Sequence, residues 1–501
     1  MSRSKLVALL AFGLAVVVLR APWLSEPRAE TTTAAISRSG RLGGASYLIE
    51  VPANWQGGLV VFAHGIQRGP GPGAVAAPPI ASHILAGGHA WIASGYRARE
   101  YQPHLFIDDL IALRELFLKE VGRPRWTIIY GQSMGGHIVV ASLELHPALY
   151  QGGLAECGLV DGISIADYLM AYTAAAELIS GVPMLDAPDK ETFARVLNER
   201  VVPALGMPGA YTARGRQFDS VVKYLMGADQ VGNDLPLRLQ GLKRRYLLNM
   251  MHRPRDLDNE PSPGLRAAST VHIRYRIDPG LGLTEEELNA RVRRLQPAKD
   301  SRSPAANPVY AERTGRLKAP LITLHETGDA WVPLSLEQSY RRRTIAAGTD
   351  HLLVQRVMRA SSHCGFDGET REQAFDDLLA WIERGVRPVG EDVLAPDLSR
   401  IGLKWTPTLQ PEDPLALRRG LRSESCPRAF ASIASRGASQ RTSVISRSSA
   451  TASCPSGIGA AKKRVSNRRG WISGVIQWAK YTSVSVARVR RSARSIAQNA
   501  R

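Results

Sequence analysis

Cysteine is scarce, with four residues in 501 and no C-x-x-C pair among them. That excludes a disulfide-built scaffold and argues against a zinc ribbon. Long apolar runs are lacking too. The stretch Leu6–Leu19 is 14 residues long, below the roughly 18–20 that a helix needs to cross a bilayer. Acids are few beside bases, 45 against 64, and the formal net charge is +19. On its face that balance points to nucleic acid or anionic membranes. Yet 44% hydrophobic and 22% charged residues are too apolar a mixture for a chain disordered throughout. The length suits two or three average domains, or one large domain carrying an insertion.

The position of the charge decides what it means. Residues 420–501 hold 16 bases and one acid, Glu424, and so carry +15 of the total, leaving about +4 for residues 1–419. This tail is rich in Ser and Arg and has no hydrophobic period that lasts. One reading is a basic segment that binds phosphates, with strong salt dependence. Its bases, however, are scattered among Ser and Ala without an amphipathic face, and its only tryptophans are Trp471 and Trp478. A disordered or mis-translated extension fits better, so no nucleic-acid partner is expected. At the other end, Arg3 and Lys5 precede the apolar run, and polar Ser25-Glu26-Pro27-Arg28 follows it. These are the flanks and length of a signal peptide over residues 1–29. No A-x-A triplet precedes Glu30, so an uncleaved anchor is the alternative. Export to the periplasm or medium is expected, with membrane association only through this segment.

Between these ends, apolar runs alternate with amphipathic stretches. Ala45–Val51, Gly58–Ala63, His89–Ala93, Arg125–Tyr130 and Leu149–Cys157 read as strands. Ile107–Val121 and the stretch from Ser133 to His146 read as helices. Such alternation predicts βαβ units and a mostly parallel sheet. The pattern lapses over residues 159–318, where Ile165–Ile179, Lys190–Leu205, Phe218–Met226, Leu237–Met251 and Thr284–Leu295 are helical in tone. It resumes with strands Ala319–His325 and His351–Val357 and the helix Thr370–Arg384. The expected organisation is an α/β core in two parts, 38–158 and 319–390, around a helical cap at 159–318. An extension at 391–419 precedes the tail.

Gly131-Gln132-Ser133-Met134-Gly135-Gly136 fits G-x-S-x-G and lies between a strand and a helix. Glycines are needed there because the nucleophile elbow is a strained turn with no room for flanking side chains. The turn lifts the Ser133 hydroxyl above the sheet and puts a helix N-terminus behind it, where an oxyanion would form. A serine hydroxyl needs a base and an orienter, expected in the order acid, then His. After the strand Ala319–His325, the loop Gly328–Pro333 offers Asp329, with Glu326 as the rival carboxylate. After the next strand, the small-residue loop Ser361–Phe366 offers His363, whereas His351 begins that strand and belongs at its opposite end. The second oxyanion donor is sought after strand Gly58–Ala63, in His64-Gly65-Ile66-Gln67. The backbone amides of Ile66 and Met134 are assigned to the hole, with Gln67 the alternative to Ile66 and His64 structural. Tyr168, Met170, Tyr172, Met250 and Met251 either line an acyl pocket or pack cap helices.

Together these motifs resemble the α/β-hydrolase superfamily over about residues 45–390. The doubled glycine of the elbow is similar to that of monoacylglycerol-lipase-like hydrolases and serine aminopeptidases. The resemblance implies an α/β-hydrolase fold and acyl transfer through an acyl-enzyme. Ser133 would be the nucleophile, His363 the proton relay and Asp329 the orienter. Carboxylic esters are the leading substrates, with a peptidase or amidase on the same residues as the alternative. No cofactor or metal is implied. Cys364 follows His363, and Cys157 ends the strand after the elbow helix, so in an exported protein the two are candidates for a disulfide. Secreted tannase and feruloyl-esterase-type hydrolases resemble this in having a Cys beside the catalytic His. Their partner Cys adjoins the nucleophile, where this chain has Gln132.

Overall fold

The computed structural model describes residues 34–207, 210–227, 267–360 and 362–406. The expected signal peptide at 1–29, the expected helix Leu237–Met251 with Met250 and Met251, and the basic tail lie outside them. Eight strands form one sheet: β1 Ile36–Leu42, β2 Ala45–Val51, β3 Gly58–Ala63, β4 His89–Ser94, β5 Trp126–Gln132, β6 Gly152–Glu156, β7 Leu321–Glu326 and β8 Leu353–Met358. Their order is β1-β2-β4-β3-β5-β6-β7-β8. Strand β2 runs antiparallel to β1 and β4, and every other pairing is parallel.

All six residues of β3, β4, β7 and β8 are buried, as expected where helices cover both faces of a parallel sheet. The pleat divides them between two cores. Leu59, Val61 and Ala63 of β3 face one layer with helices α2 (Pro103–Glu120) and α3 (Met134–Leu145). Val60 and Phe62 face the other, with α1 (Ala81–Ala86) and, at the C-terminal side, the helix Gly368–Arg384. Helix α2 starts with proline at its first position and buries Phe106, Leu110, Leu113 and Phe117, one face at helical spacing.

Between β6 and β7 the described residues hold five helices, α4 Ser164–Ser180, α5 Lys190–Val196, α6 Val202–Leu205, α7 Ala213–Leu225 and α8 Glu285–Arg291. With them are a short antiparallel ribbon of Gly206–Met207 against Ala210–Tyr211 and long irregular stretches over 268–284 and 293–320, so this insertion is less helical than the sequence suggests. A π-type turn, Leu197–Val201, joins α5 to α6. Helix α8 carries a full capping box between Thr284 and Glu287. Helices α9 (Leu334–Ala347) and α10 (Gly368–Arg384) follow β7 and β8. Asp367 caps α10 by accepting from the Thr370 amide at 2.7 Å, and Gly385 closes it in a left-handed conformation. No helix among the described residues is long and apolar enough to cross a membrane.

Three elements depart from the sequence reading. Strand β1 is polar and largely exposed, so it shows no hydrophobic alternation. It exists because Gly43 and Gly44, both at positive φ, turn it back onto β2. Helix α1 is short and buries only Ile84. Helix α9 buries Glu337, Gln338 and Thr344 beside Leu336 and Tyr340, a polar mixture that hides its inner face.

Candidate active site

Ser133 sits between β5 and α3 with φ 55° and ψ −117°, a conformation that a non-glycine residue adopts only under constraint. Its amide donates to the Glu156 carbonyl at 3.0 Å. The flanking glycines are sterically required. A Cβ on Gly131 would lie 2.4 Å from the Gly135 carbonyl oxygen, and one on Gly135 would lie 2.0 Å from that of Ala63. Gly135→Ala is therefore expected to push α3 off the end of β3, costing about 1–3 kcal/mol or more. Thermal unfolding of the variant against the wild type measures it.

The same close approach carries the chain after β3 past the serine. A Cβ on Gly65 would meet the Ser133 Cβ at 3.3 Å and its Oγ at 3.9 Å. Ile66 follows directly, and Met134 is the first residue of α3, where helix geometry leaves the amide without an intrahelical partner. The Gln67 side chain clamps the Ala74 amide and carbonyl, both at 2.8 Å, and holds its backbone amide, the alternative to that of Ile66, in this loop. The His64 ring lies against Tyr96, with centroids 4.1 Å apart, and its Nδ1 is 2.7 Å from the Gly65 carbonyl. Burial pushes its pKa down, as suits a neutral histidine that shapes the loop.

The other named side chains converge on Ser133. His363 Nε2 is 2.9 Å from Ser133 Oγ, and its Nδ1 is 2.6 Å from Asp329 Oδ2. Asp329 is buried, and its other oxygen accepts from the Trp331 amide at 2.9 Å and the Val332 amide at 3.2 Å. The rival Glu326 does not touch the imidazole. It accepts from Ser362 Oγ and, at 3.3 Å, from the Gly365 amide, and burial pushes its pKa up. It anchors the loop that bears His363. His351 lies in the middle of the short turn Asp350–Leu352 before β8, at the strand's opposite end.

Cys157 and Cys364 are joined by a disulfide, with Cα atoms 5.2 Å apart. Both have positive φ, 43° and 59°. Beneath them lies a polar network that the sequence reading missed. Fully buried Glu156 accepts from Tyr130 Oη, from Gln132 Nε2 at 2.8 Å and from Arg371 Nε at 2.9 Å. Arg371 also donates to the Phe366 carbonyl and, at 3.0 Å, to that of Cys364. One guanidinium thus ties the end of β6, and through Glu156 the elbow strand β5, to the His363 loop. Glu156 standing directly before a strand-end cysteine was the available signal, but nothing local pointed to Arg371.

One turn after Ser133, His137 is fully buried between the Tyr101 hydroxyl, 2.6 Å from Nδ1, and the Val309 carbonyl, 2.9 Å from Nε2. Burial, with Arg313 adding to it, pushes its pKa down to about 3. The unfolded chain therefore binds this proton first. Stability from the neutral ring is complete above pH ~6.5 and is lost towards pH 3, at roughly 1.4 kcal/mol per pH unit. Melting temperature against pH should show this slope, and His137→Gln should flatten it while lowering stability at neutral pH.

No family model and no curated protein matches the sequence. Solved structures do. Acylaminoacyl peptidase of Pyrococcus horikoshii is 13% identical with a TM-score of 0.35, and the match covers 73% of this chain and 44% of that one, less than half its length. An esterase/lipase from an uncultured bacterium is 12% identical, TM-score 0.34, covering 70% and 85%. Feruloyl esterase B of Aspergillus oryzae is 11% identical, TM-score 0.34, covering 71% and 81%. Likeness at this level says nothing of substrate. The strand order, the antiparallel β2, the parallel crossovers and the elbow after β5 define the architecture. The chain has the α/β-hydrolase fold. The insertion between β6 and β7 is fastened to the loop that bears Asp329, because Tyr168 Oη on α4 donates to the Ala330 carbonyl at 3.0 Å. Tyr168, Met170 and Tyr172 are buried in the main hydrophobic core, where Tyr172 packs edge-on against Tyr168 and Phe218. Where the insertion begins, buried Asp161 accepts from Ser164 Oγ at 2.7 Å, Ser339 Oγ at 2.6 Å and Arg343 Nε at 2.6 Å, fixing the start of α4 to α9.

Proposed function

We propose that this protein is an exported serine hydrolase that cleaves carboxylic esters through an acyl-enzyme. The observation that carries the reading is the unbroken hydrogen-bond chain Asp329–His363–Ser133 at the strained elbow. Ser133 Oγ attacks the carbonyl while His363 Nε2 takes its proton. Asp329 holds the imidazole with Nδ1 protonated and stabilises the imidazolium that forms. The Ile66 and Met134 amides receive the oxyanion. His363 then protonates the leaving alcohol, and water resolves the acyl-enzyme by the same relay. Export is supported by the N-terminal segment and by a disulfide beside the site, since such bridges persist outside reducing compartments.

Labelling with a fluorophosphonate probe tests the nucleophile. The wild type should label and Ser133→Ala should not; persistent labelling of the variant places the nucleophile elsewhere. A panel of p-nitrophenyl esters against aminoacyl-anilides then separates an esterase from a peptidase. Truncation at Gly420 should leave hydrolysis unchanged, and loss of lipid or nucleic-acid binding on truncation would instead favour a binding role for the tail. Cell fractionation reports export.

A further inference from the structure

Among the described residues, one group of His, Cys and acidic side chains has metal-ligand spacing: Cys157, His363 and Cys364, whose ligand atoms all lie within 4.8 Å of one another. In the oxidised protein the two sulfurs are bonded to each other. We propose that reducing this bridge creates a site for a thiolate-seeking divalent ion of the zinc class, and that the bound ion switches the hydrolase off. The inactivation rests on the hydrolase reading above; the binding does not.

The donor chemistry is right for such an ion. Two thiolates and an imidazole are three of the four ligands of a tetrahedral zinc centre, at about 2.3 Å for sulfur and 2.0–2.1 Å for nitrogen. Those lengths put the donors roughly 3.5–3.8 Å apart, so once the bond opens the sulfurs part by nearly 2 Å, about an ångström each, and the imidazole nitrogen, now within 4.8 Å, draws in by no more than about an ångström. The Ser133 hydroxyl or a water supplies the fourth ligand. Of the three residues, Cys157 is fully buried, whereas Cys364 and His363 are partly exposed. A dithiol therefore attacks Cys364 Sγ. The protein bond breaks, Cys157 leaves as a thiolate, and the second thiol of the reductant closes on the first to form its own disulfide. Two electrons pass to the protein, which ends as two thiols. Metal binding then displaces their two protons.

Inactivation follows whichever imidazole nitrogen binds. His363 spends Nε2 on Ser133 and Nδ1 on Asp329, and a metal on either removes one of those hydrogen bonds. Reduction alone leaves the loop held. Arg371 still grips the Cys364 and Phe366 carbonyls, and Glu326 still accepts from Ser362 and Gly365. The bridge keeps two strained cysteines from becoming ligands, and the metal, rather than the reduction, stops turnover.

The test uses the full chain with Cys426→Ser and Cys454→Ser, so that only Cys157 and Cys364 can supply thiols. After dithiol reduction and desalting, cobalt(II) should give a thiolate charge-transfer band saturating at one ion per chain and bleached by zinc. The band should be absent from oxidised protein and from the further variant Cys157→Ser/Cys364→Ser. Reduced enzyme in a chelator should keep its ester hydrolysis, saturating zinc should lower it by about 10⁴-fold or more, and excess chelator should restore it. Oxidised enzyme should ignore the same zinc. Absence of the band overturns the site. A band without loss of activity, equal zinc inhibition of oxidised enzyme, or inactivity of the reduced metal-free enzyme overturns the switch. If the oxidised enzyme hydrolyses no ester or anilide, the hydrolase reading fails and the cobalt band still decides the site.

Discussion

Asp329→Asn should lower kcat/KM by about 10⁴-fold while leaving the fold intact. The geometry fixes which way the new amide points. Oδ1 of Asp329 accepts from two backbone N–H groups, Trp331 and Val332, and neither can face an amide NH₂. The asparagine oxygen must stay there, so its NH₂ replaces the carboxylate oxygen now 2.6 Å from His363 Nδ1. A donor at that place turns Nδ1 into an acceptor and moves the ring proton to Nε2. Nε2 then donates to Ser133 and can no longer take its proton. The loss should fall on kcat, because nothing that holds substrate has moved. Near-normal melting temperature with the lost rate is the expected pair. Glu326→Gln is the control: burial raises that carboxyl's pKa, and its acceptor role towards the Gly365 amide survives in a glutamine. Its activity should stay within about tenfold of wild type, in the range of a neutral hydrogen-bond change. If the two variants exchange these outcomes, Glu326 is the orienter.

How much of this was readable in the sequence depends on whether the signal was local. Strands β2 to β8 are runs of apolar residues bounded by turns, and each is legible to within a few positions. Strand β1 is not, since its residues face solvent at the sheet edge; only the Gly43-Gly44 turn betrays it. Helix α9 conceals itself by burying Glu337 against Thr323 and Gln355. Ser133, Asp329 and His363 each stand in a short loop whose neighbours mark it, so position after a strand was enough to name them. The pairing of Cys157 with Cys364 was legible as a possibility, because both follow strands that end on the same side of the sheet. The Glu156–Arg371 pair spans 215 residues. A glutamate at a strand end and an arginine on an amphipathic helix both read as surface charge, and only the packed structure brings them inside.

That pair carries the last expectation. Arg371→Met leaves the Glu156 carboxylate buried with no cation, which costs about 3–5 kcal/mol where one partner of a buried pair is removed. It also releases the Cys364 and Phe366 carbonyls. The two consequences can be separated. Adding Glu156→Gln removes the uncompensated charge, so Arg371→Met/Glu156→Gln should recover most of the lost melting temperature. The carbonyls of the His363 loop remain unheld, and a displacement of the imidazole by about an ångström is worth roughly 10² in rate. The double variant should therefore stay about 10²-fold low in kcat with KM nearly unchanged. Arg371→Lys keeps the charge but not the planar fork that reaches three acceptors at once, so it should protect stability better than rate. Recovery of kcat in step with melting temperature would reduce Arg371 to a structural residue. Recovery of stability alone makes it the residue that positions His363, linking the end of β6 beside the elbow to the loop that carries the base.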